Sequence, residues 1–286
     1  MVMRIIKLCL LIFLFQGCAK TLVDENAFTL SNDGKTLEVY IPQGISLEKI
    51  LENVNMTKID EMVIRGYIDG NNLAYLRKLS GGDDPDFLGG ANLGVLNLER
   101  CFFEAGYEVY YVRDGVCLKI LSYDDIPAYA FENCYVLNTI TLPDQWGSYN
   151  INEGAFKDCL LLRYINWGIK KSVKKIKKEA FMNCTTLSLG EPFVLPEGIT
   201  DIEDRAFKNT ILHSIDIPST IINIGDEAFT RILGNVIIRS TTPPNITSSS
   251  FVFTEYSSKV VFVPEECIEM YEIEPYLSIF SEIRAI

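Results

Sequence analysis

The chain has 286 residues, of which 48% are hydrophobic and 22% charged, and this composition excludes a disordered protein. Its formal net charge of −12 disfavours non-specific binding to nucleic acid or to anionic lipid, since both are negatively charged. The single histidine, His213, leaves little side-chain material for general-base or metal-site chemistry, so we expect no cofactor and no metal.

The first segment of the chain predicts export. Two basic residues within MVMRIIK precede the short apolar run LCLLIFLF at 8–15, and Gly17 and Cys18 follow shortly after it. These features are typical of a secretory signal, and the run is shorter than the roughly 20 residues of a membrane-spanning helix. Because the cysteine follows as in a bacterial lipoprotein signal, we expect removal of residues 1–17 and a lipid on Cys18. A plain secretory signal is the alternative.

The part of the chain after the signal has no regular period. The stretch IDEMVIRGYIDGNNLAYLRKL, at 59–79, predicts a strand followed by a helix, with Asn71 or Asn72 as the residue that caps the helix. Period-two alternation predicts further strands at 37–42 and 93–101. We expect residues 18–125 to form an N-terminal cap with irregular coils.

From residue 126 onward one phrase recurs, in which an isoleucine precedes an Ala-Phe pair. The pairs end at intervals of 25, 25, 26 and 22 residues, at Phe131, Phe156, Phe181, Phe207 and Phe229. Segments between them, such as LNTITLP at 137–143 and LHSIDIP at 212–218, alternate with period two and predict strands with one buried face. A period of 20 to 29 residues is typical of a leucine-rich-repeat solenoid. We therefore expect an α/β-type solenoid of stacked coils with a single parallel β-sheet, mostly strand and irregular structure.

Three cysteines lie 25 residues apart, each three positions after the phenylalanine of its repeat: Cys134, Cys159 and Cys184. This spacing does not match that of zinc ligands. Because Thr210 replaces cysteine in the next repeat, we interpret the cysteines as buried free thiols that act as small, nearly apolar fillers. The pairing of the remaining three stays open, namely Cys101, Cys117 and Cys267.

Residues 126–231 resemble the BspA-like leucine-rich-repeat family of bacterial surface proteins, through the phrase I-x3-A-F-x2-C-x2-L-x2-I-x-L-P at 126–143. The chain end at 242–283 and IRGYIDGNNLAYLRKL near the start are also similar to that family. The resemblance implies a bacterial exported protein on the outer surface, with no family catalytic residue to carry over. The expected divisions are a signal at 1–17, a cap with irregular coils at 18–125, repeats at 126–251 and a C-terminal cap at 252–286.

The candidate contact residues lie at positions where the predicted sheet faces solvent. The candidate partner-binding residues are Tyr164, Asn166, Ser214 and Asp216, and Trp167 either adds to them or replaces a core leucine. A lysine run is either a solvated turn or a basic patch for an anionic glycan or lipid head group: Lys170, Lys171, Lys174, Lys175, Lys177 and Lys178.

We expect a non-catalytic module, anchored at the cell surface, that binds a host protein, matrix or glycan in adhesion. An accessory ligand-binding subunit of a nutrient-uptake complex and a surface hydrolase are the alternatives. A Ser-His-Asp triad at 213–216 is disfavoured because a triad needs side chains that converge from separate segments. We also expect a monomer that does not bind nucleic acid and that contacts the membrane through its lipid alone.

Overall fold

The computed structural model of the protein describes residues 27–82, 92–144, 147–168, 173–255 and 257–286. Within these ranges most residues lie in short strands or irregular structure, as the sequence predicts. The buried apolar side chains form one core cluster that runs from Ala27 to Phe280. The predicted signal at 1–17 lies outside the described residues, and so do three candidate site residues, namely Cys18, Lys170 and Lys171.

A six-stranded sheet begins the described chain and continues into the first repeats. Its strands, in spatial order, are β1 (Phe28–Leu30), β2 (Thr36–Ile41), β3 (Glu61–Ile68), β4 (Val95–Phe103), β7 (Thr139–Thr141) and β9 (Tyr164–Asn166). The first pairing is antiparallel and the others are parallel. Met62, Ile64 and Ile68 of β3 are fully buried, as period-two alternation requires. Gly66 lies at the inward position between Ile64 and Ile68, with a φ of 100°. Glycine is required there because a Cβ would clash with the backbone of Ile41.

The helices of the described residues are short. They are α1 (Leu47–Ile50), α2 (Gly70–Leu79) and α3 (Ile268–Glu272), with 3₁₀ turns at Met56–Lys58, Glu265–Cys267 and Pro275–Ile279. The predicted cap of α2 is wrong, because the carboxylate of Asp69 accepts the N–H of Asn72 at 2.8 Å. Asn72 is instead buried, and its side chain accepts the N–H of Leu47 at 2.7 Å, which ties α2 to α1.

Arg77 of α2 joins the N-terminal part to the first repeat. Its side chain is fully buried, and Nη1 donates to the carbonyl oxygens of Tyr129 at 2.7 Å and Ala130 at 3.0 Å. The guanidinium lies 3.8 Å from the ring centroid of Tyr111, in cation–π geometry. Tyr111 belongs to an antiparallel hairpin of β5 (Val109–Arg113) and β6 (Val116–Lys119), so this one arginine connects helix, hairpin and repeat.

The repeats do not form the single parallel sheet that the sequence predicts. Each repeat pairs with the next on more than one side, so the strands divide among further parallel sheets. A four-stranded sheet contains β8 (Tyr149–Ile151), β10 (Val173–Ile176), β12 (Asp201–Ile202) and β14 (Asn223–Ile224). A five-stranded sheet contains β11 (Phe193–Val194), β13 (Ile215–Ile217), β16 (Val236–Ile238), β18 (Val260–Val263) and β19 (Glu282–Ala285). A third sheet pairs β15 (Phe229–Ile232) with β17 (Phe251–Phe253).

The phenylalanines of the Ala-Phe pairs stack in one ladder through the core. All five are fully buried. Successive ring centroids are 5.1 to 5.5 Å apart, with the ring planes between 3° and 9° of parallel. Phe251 extends the ladder by one more ring, 5.4 Å from Phe229. The inward direction predicted for these residues is confirmed.

Candidate partner-binding surface

The outward face is defined here as the side of β2–β4, β7, β9, β11, β13 and β16 that points away from the core. Parallel pairing places equivalent outward residues of successive strands side by side, so that Thr139 lies next to Tyr164 and Thr141 next to Asn166. The inward neighbour, Ile140, is fully buried. The face therefore presents rows of polar and aromatic side chains held at the spacing of a β-sheet.

Two predicted contact residues lie on this face and reach solvent. Tyr164 is 50% exposed, and the guanidinium of Arg163 lies 5.3 Å from its ring centroid. Asn166 is exposed and its side-chain oxygen accepts the N–H of Gly168 at 3.1 Å. Its amide N–H groups donate to no other described residue, so they can donate to a partner. An aromatic ring and an amide side by side suit both stacking and hydrogen bonding.

Asp216 is not the exposed contact residue that the sequence predicts. It is buried, and its two carboxylate oxygens accept hydrogen bonds from Arg239 at 2.7 and 2.6 Å. The hydrogen bonds that Arg239 donates to Asp216, together with the negative charge of Asp216, raise the pKa of Arg239. This bidentate pair neutralises the carboxylate, so Asp216 orders the sheet surface instead of offering a free charge. Ser214, two residues earlier, is half-buried.

His213, Ser214 and Asp216 do not form a catalytic triad in the described structure. His213 is exposed, and its Nδ1 accepts the N–H of Gly190 at 3.3 Å. The carboxylate of Asp216 is occupied by Arg239 and so does not orient the histidine. Trp167 packs toward the core, which is the second of its two predicted roles. Its ring lies edge-on to Phe181, with centroids 6.3 Å apart, and also packs against Phe193.

The described part of the lysine run is partly neutralised. Lys175 lies 3.4 Å from a carboxylate oxygen of Asp201, and Lys178 lies 3.7 Å from one of Glu153. Lys174 is exposed on the same strand. Surface pairs of this kind contribute little stability, but they reduce the local positive charge that an anionic ligand would meet.

The structure adds a cluster at the N-terminal end of the outward face that the sequence interpretation missed. The register aligns Tyr40, Arg65 and Arg100 in one row, with Arg65 in an ion pair with Glu38. In the next row, the rings of Tyr67 and Phe102 stack with centroids 5.4 Å apart. Tyrosine and arginine are enriched where interfaces derive most of their binding energy. Period-two alternation in the sequence predicts which side chains of β2 and β3 point outward. It does not predict which side chains of β4 lie beside them, because a bulge in the β3–β4 pairing shifts the register.

Neither a metal centre nor a membrane-spanning helix is found in the parts of the chain that the structure describes. No three histidine, cysteine or acidic side chains there are grouped so that they could hold a metal ion. No helix within the same ranges is long and apolar enough to cross a bilayer.

Comparison with known proteins identifies the repeats. The family model described as BspA type Leucine rich repeat region matches in six copies, over residues 118–233 and 149–273. No curated protein matches the chain.

Three solved structures are similar to the chain at low identity. The pneumococcal vaccine antigen PcpA has a TM-score of 0.45 and 14% identity, with 87% of this chain and 67% of that chain covered. A leucine-rich repeat protein from Bacteroides ovatus ATCC 8483 has a TM-score of 0.24 and 16% identity, covering 59% and 66%. A leucine rich cell surface protein from Faecalibacterium prausnitzii A2-165 has a TM-score of 0.23 and 13% identity, covering 90% and 92%. Likenesses this distant say nothing about what the chain binds.

Proposed function

Because the chain belongs to the BspA-type leucine-rich-repeat family, we propose that it is a non-catalytic binding module displayed on a bacterial surface. Its repeats, expected at 126–251 between two caps, stack as a solenoid that holds the outward face rigid. The partner is a macromolecule such as a host protein, matrix component or glycan. The role in adhesion and the outer-surface location are parts of the same proposal.

The observation that carries the proposal is the composition of the outward face. Tyr164 and Asn166 reach solvent from neighbouring positions of one strand, and their side chains are not needed by the core. A second cluster with Tyr40 and Arg100 lies on the same sheet, two strands or more away. Aromatic and arginine anchors on a preorganised sheet lower the entropy that binding would otherwise cost.

The test uses the double variant Tyr164→Ala with Asn166→Ala against a glycan array and host matrix proteins. We expect the affinity for a captured partner to fall by about tenfold, or about 1.4 kcal/mol, because the variant removes a stacking ring and an amide. The melting temperature should stay unchanged, since exposed strand positions contribute little to stability. The affinity is measured by surface plasmon resonance.

Leu161→Ala is the matched control, because Leu161 is similarly exposed, at 53%, but lies in a turn outside the outward face. Its affinity should equal that of the parent. Hydrolysis of a glycan or peptide by the purified protein contradicts the proposal. A second double variant, Tyr40→Ala with Arg100→Ala, tests the other cluster of the outward face. If both double variants bind the partner with the affinity of the parent, the proposal is contradicted.

The surface anchor is proposed to be a lipid on Cys18, which lies outside the described residues. Cleavage after Gly17 would leave this cysteine at the new N-terminus, as the order of basic, apolar and small residues indicates. Mass spectrometry of membrane-extracted protein should find an acylated peptide that begins at Cys18, and Cys18→Ser should release the protein from the membrane. An N-terminus beyond Cys18 without acyl mass argues for plain secretion.

A further inference from the structure

The β5–β6 hairpin and the residues beside it expose an unusual amount of apolar surface. Tyr107, Leu121 and Tyr123 are 89%, 88% and 61% exposed. Three exposed valines lie on the hairpin itself: Val109, Val112 and Val116. Several exposed large apolar side chains so close together in the chain are typical of a contact surface. None of them belongs to the outward face.

The outer edge of β6 has backbone groups that are free to pair. Asp114 and Gly115 form a two-residue turn with φ values of 51° and 80°, so the flanking pair, Arg113 with Val116, exchanges hydrogen bonds. The next pair, Val112 with Cys117, is then non-hydrogen-bonded, and the N–H and C=O of Cys117 point away from β5. No strand of the described residues pairs with that edge. An open apolar edge of this kind is a template for another strand.

On the side opposite β5, the edge of β6 borders a groove of about 330 Å³. It lies between β6 and the start of the first repeat and is lined by Tyr110, Leu118, Leu121, Pro127 and Ala128. The hydroxyl of Tyr110 donates to the carbonyl of Ala128 and holds the hairpin against the repeat. The groove therefore offers an apolar floor beside a free strand edge.

We infer that the β6 edge is a homodimer interface, in which β6 of one copy pairs antiparallel with β6 of a second copy about a twofold axis at Cys117. Such an interface is isologous, so the same strand supplies both halves. Antiparallel pairing about Cys117 brings Lys119 of each copy beside the Asp114–Gly115 turn of the other. The side chain of Asp114 is 82% exposed and lies 3.4 Å from Arg113, whose guanidinium is also paired with Glu132. This end of the strand therefore keeps a negative charge that complements Lys119.

Pairing across the axis also satisfies backbone groups that β6 leaves unpaired in one copy. It would join the two hairpins in a four-stranded sheet, in which the N–H and C=O of Cys117 bond to their equivalents in the second copy. Val116 lies on β6 and would then stand opposite Leu118 of the second copy. Such a dimer would differ from the monomer expected from the sequence, and it would leave the outward face of each copy open.

The experiment measures the mass of the full chain by analytical ultracentrifugation over a range of concentrations. The parent should shift from monomer to dimer as the concentration rises. Cys117→Pro removes the outward N–H but leaves the ladder to β5 intact, so it should raise the dimer dissociation constant by at least about tenfold. Cys117→Ala is the matched control and should dimerise like the parent, since the thiol itself is not required.

A charge reversal tests the register. Lys119→Glu should raise the dissociation constant about fivefold, and the added change Asp114→Lys should restore dimerisation, because the pair is then complementary again. A short bis-maleimide should link two parent chains through Cys117 and should fail to link Cys117→Ala. Circular dichroism melts of each variant verify the fold of the subunit.

Two results overturn the inference. The first is a monomer mass for the parent at every concentration up to about 100 μM. The second is a dimer that persists unchanged in Cys117→Pro and Lys119→Glu, which would place the interface elsewhere. If the chain stays monomeric and binds a foreign peptide at the hairpin, the inference of a homodimer is likewise overturned.

Discussion

The recurring cysteine is a hydrogen-bond donor as well as a core filler. Sγ of Cys159 donates to the carbonyl of Phe131 at 2.9 Å, one repeat earlier, and Cys184 donates to Phe156 at 3.1 Å. Thr210, at the equivalent position, donates its hydroxyl to the carbonyl of Phe181 at 3.2 Å. The described cysteines are free thiols, and those of the repeats are buried, as predicted. Burial raises the pKa of the Cys159 and Cys184 thiols, so they stay protonated and able to donate.

Substitutions at Cys159 should therefore rank by their ability to donate. Cys159→Ala should lower the free energy of unfolding by about 1–2 kcal/mol, because it leaves a small cavity and a buried carbonyl without its donor. Cys159→Thr should cost less, since its hydroxyl can donate as that of Thr210 does. Urea unfolding of both variants measures the difference. Equal losses in the two variants would mean that the hydrogen bond contributes nothing.

Four of the five Ala-Phe repeats turn at an asparagine or aspartate, and Arg231 takes the same conformation in the fifth, with a φ of 62°. Two residues after the phenylalanine, the backbone takes φ values of 61°, 60°, 64° and 60° at Asn133, Asp158, Asn183 and Asn209. Asparagine and aspartate tolerate this left-handed conformation better than other residues with a Cβ. The side chains also join adjacent repeats, since Asn209 donates to Asn183 at 2.8 Å and Asn183 to Asp158 at 2.6 Å. The turn and the phenylalanine ladder thus hold the same repeats together from the surface and from the core.

Removal of one ring from the ladder should be costly. Phe156→Ala should lower the free energy of unfolding by about 3–5 kcal/mol, because Phe156 is fully buried between Phe131 and Phe181. The N-terminal part, which packs away from this ring, should be least affected. Leu160→Ala is the control in the same repeat, since Leu160 is 41% exposed. Calorimetry compares the two, and a loss below about 0.5 kcal/mol for Phe156→Ala would contradict its place in the core.

The repeat array ends in contacts that cover its last apolar face. Phe280 packs on both Phe251 and Phe253, with each pair of ring centroids 5.3 Å apart. The buried hydroxyl of Tyr271 donates to the carbonyl of Ser240 at 2.8 Å. At the other end, Arg77 and α2 close the first repeat. Stacked repeats contact their neighbours only, so the stability of the whole molecule depends on both ends.

Loss of the C-terminal cap contact should loosen the molecule from that end. Phe280→Ala should cost about 3 kcal/mol, because it opens a cavity against Phe251 and Phe253. Hydrogen exchange should accelerate first in β17 and β18 and least near β2 and β3. Ile273→Ala is the control, because Ile273 is 79% exposed. Uniform acceleration along the whole chain would indicate a single cooperative unit in place of fraying from one end.

The sequence by itself determined the repeat, its period and the residues that point inward. Phe156 and Cys159 could be assigned to the core because the same residue types return at the same place in each repeat, and a buried position restricts its residue wherever it recurs. The tertiary structure decided what depends on contacts between repeats. Asp216 is removed from the candidate surface by Arg239, 23 residues away, and a bulge in the β3–β4 pairing brings Arg100 into line with Tyr40. The division into several sheets also depends on contacts between repeats. The sequence of one repeat does not specify which of its strands pairs with the next repeat, or in which register.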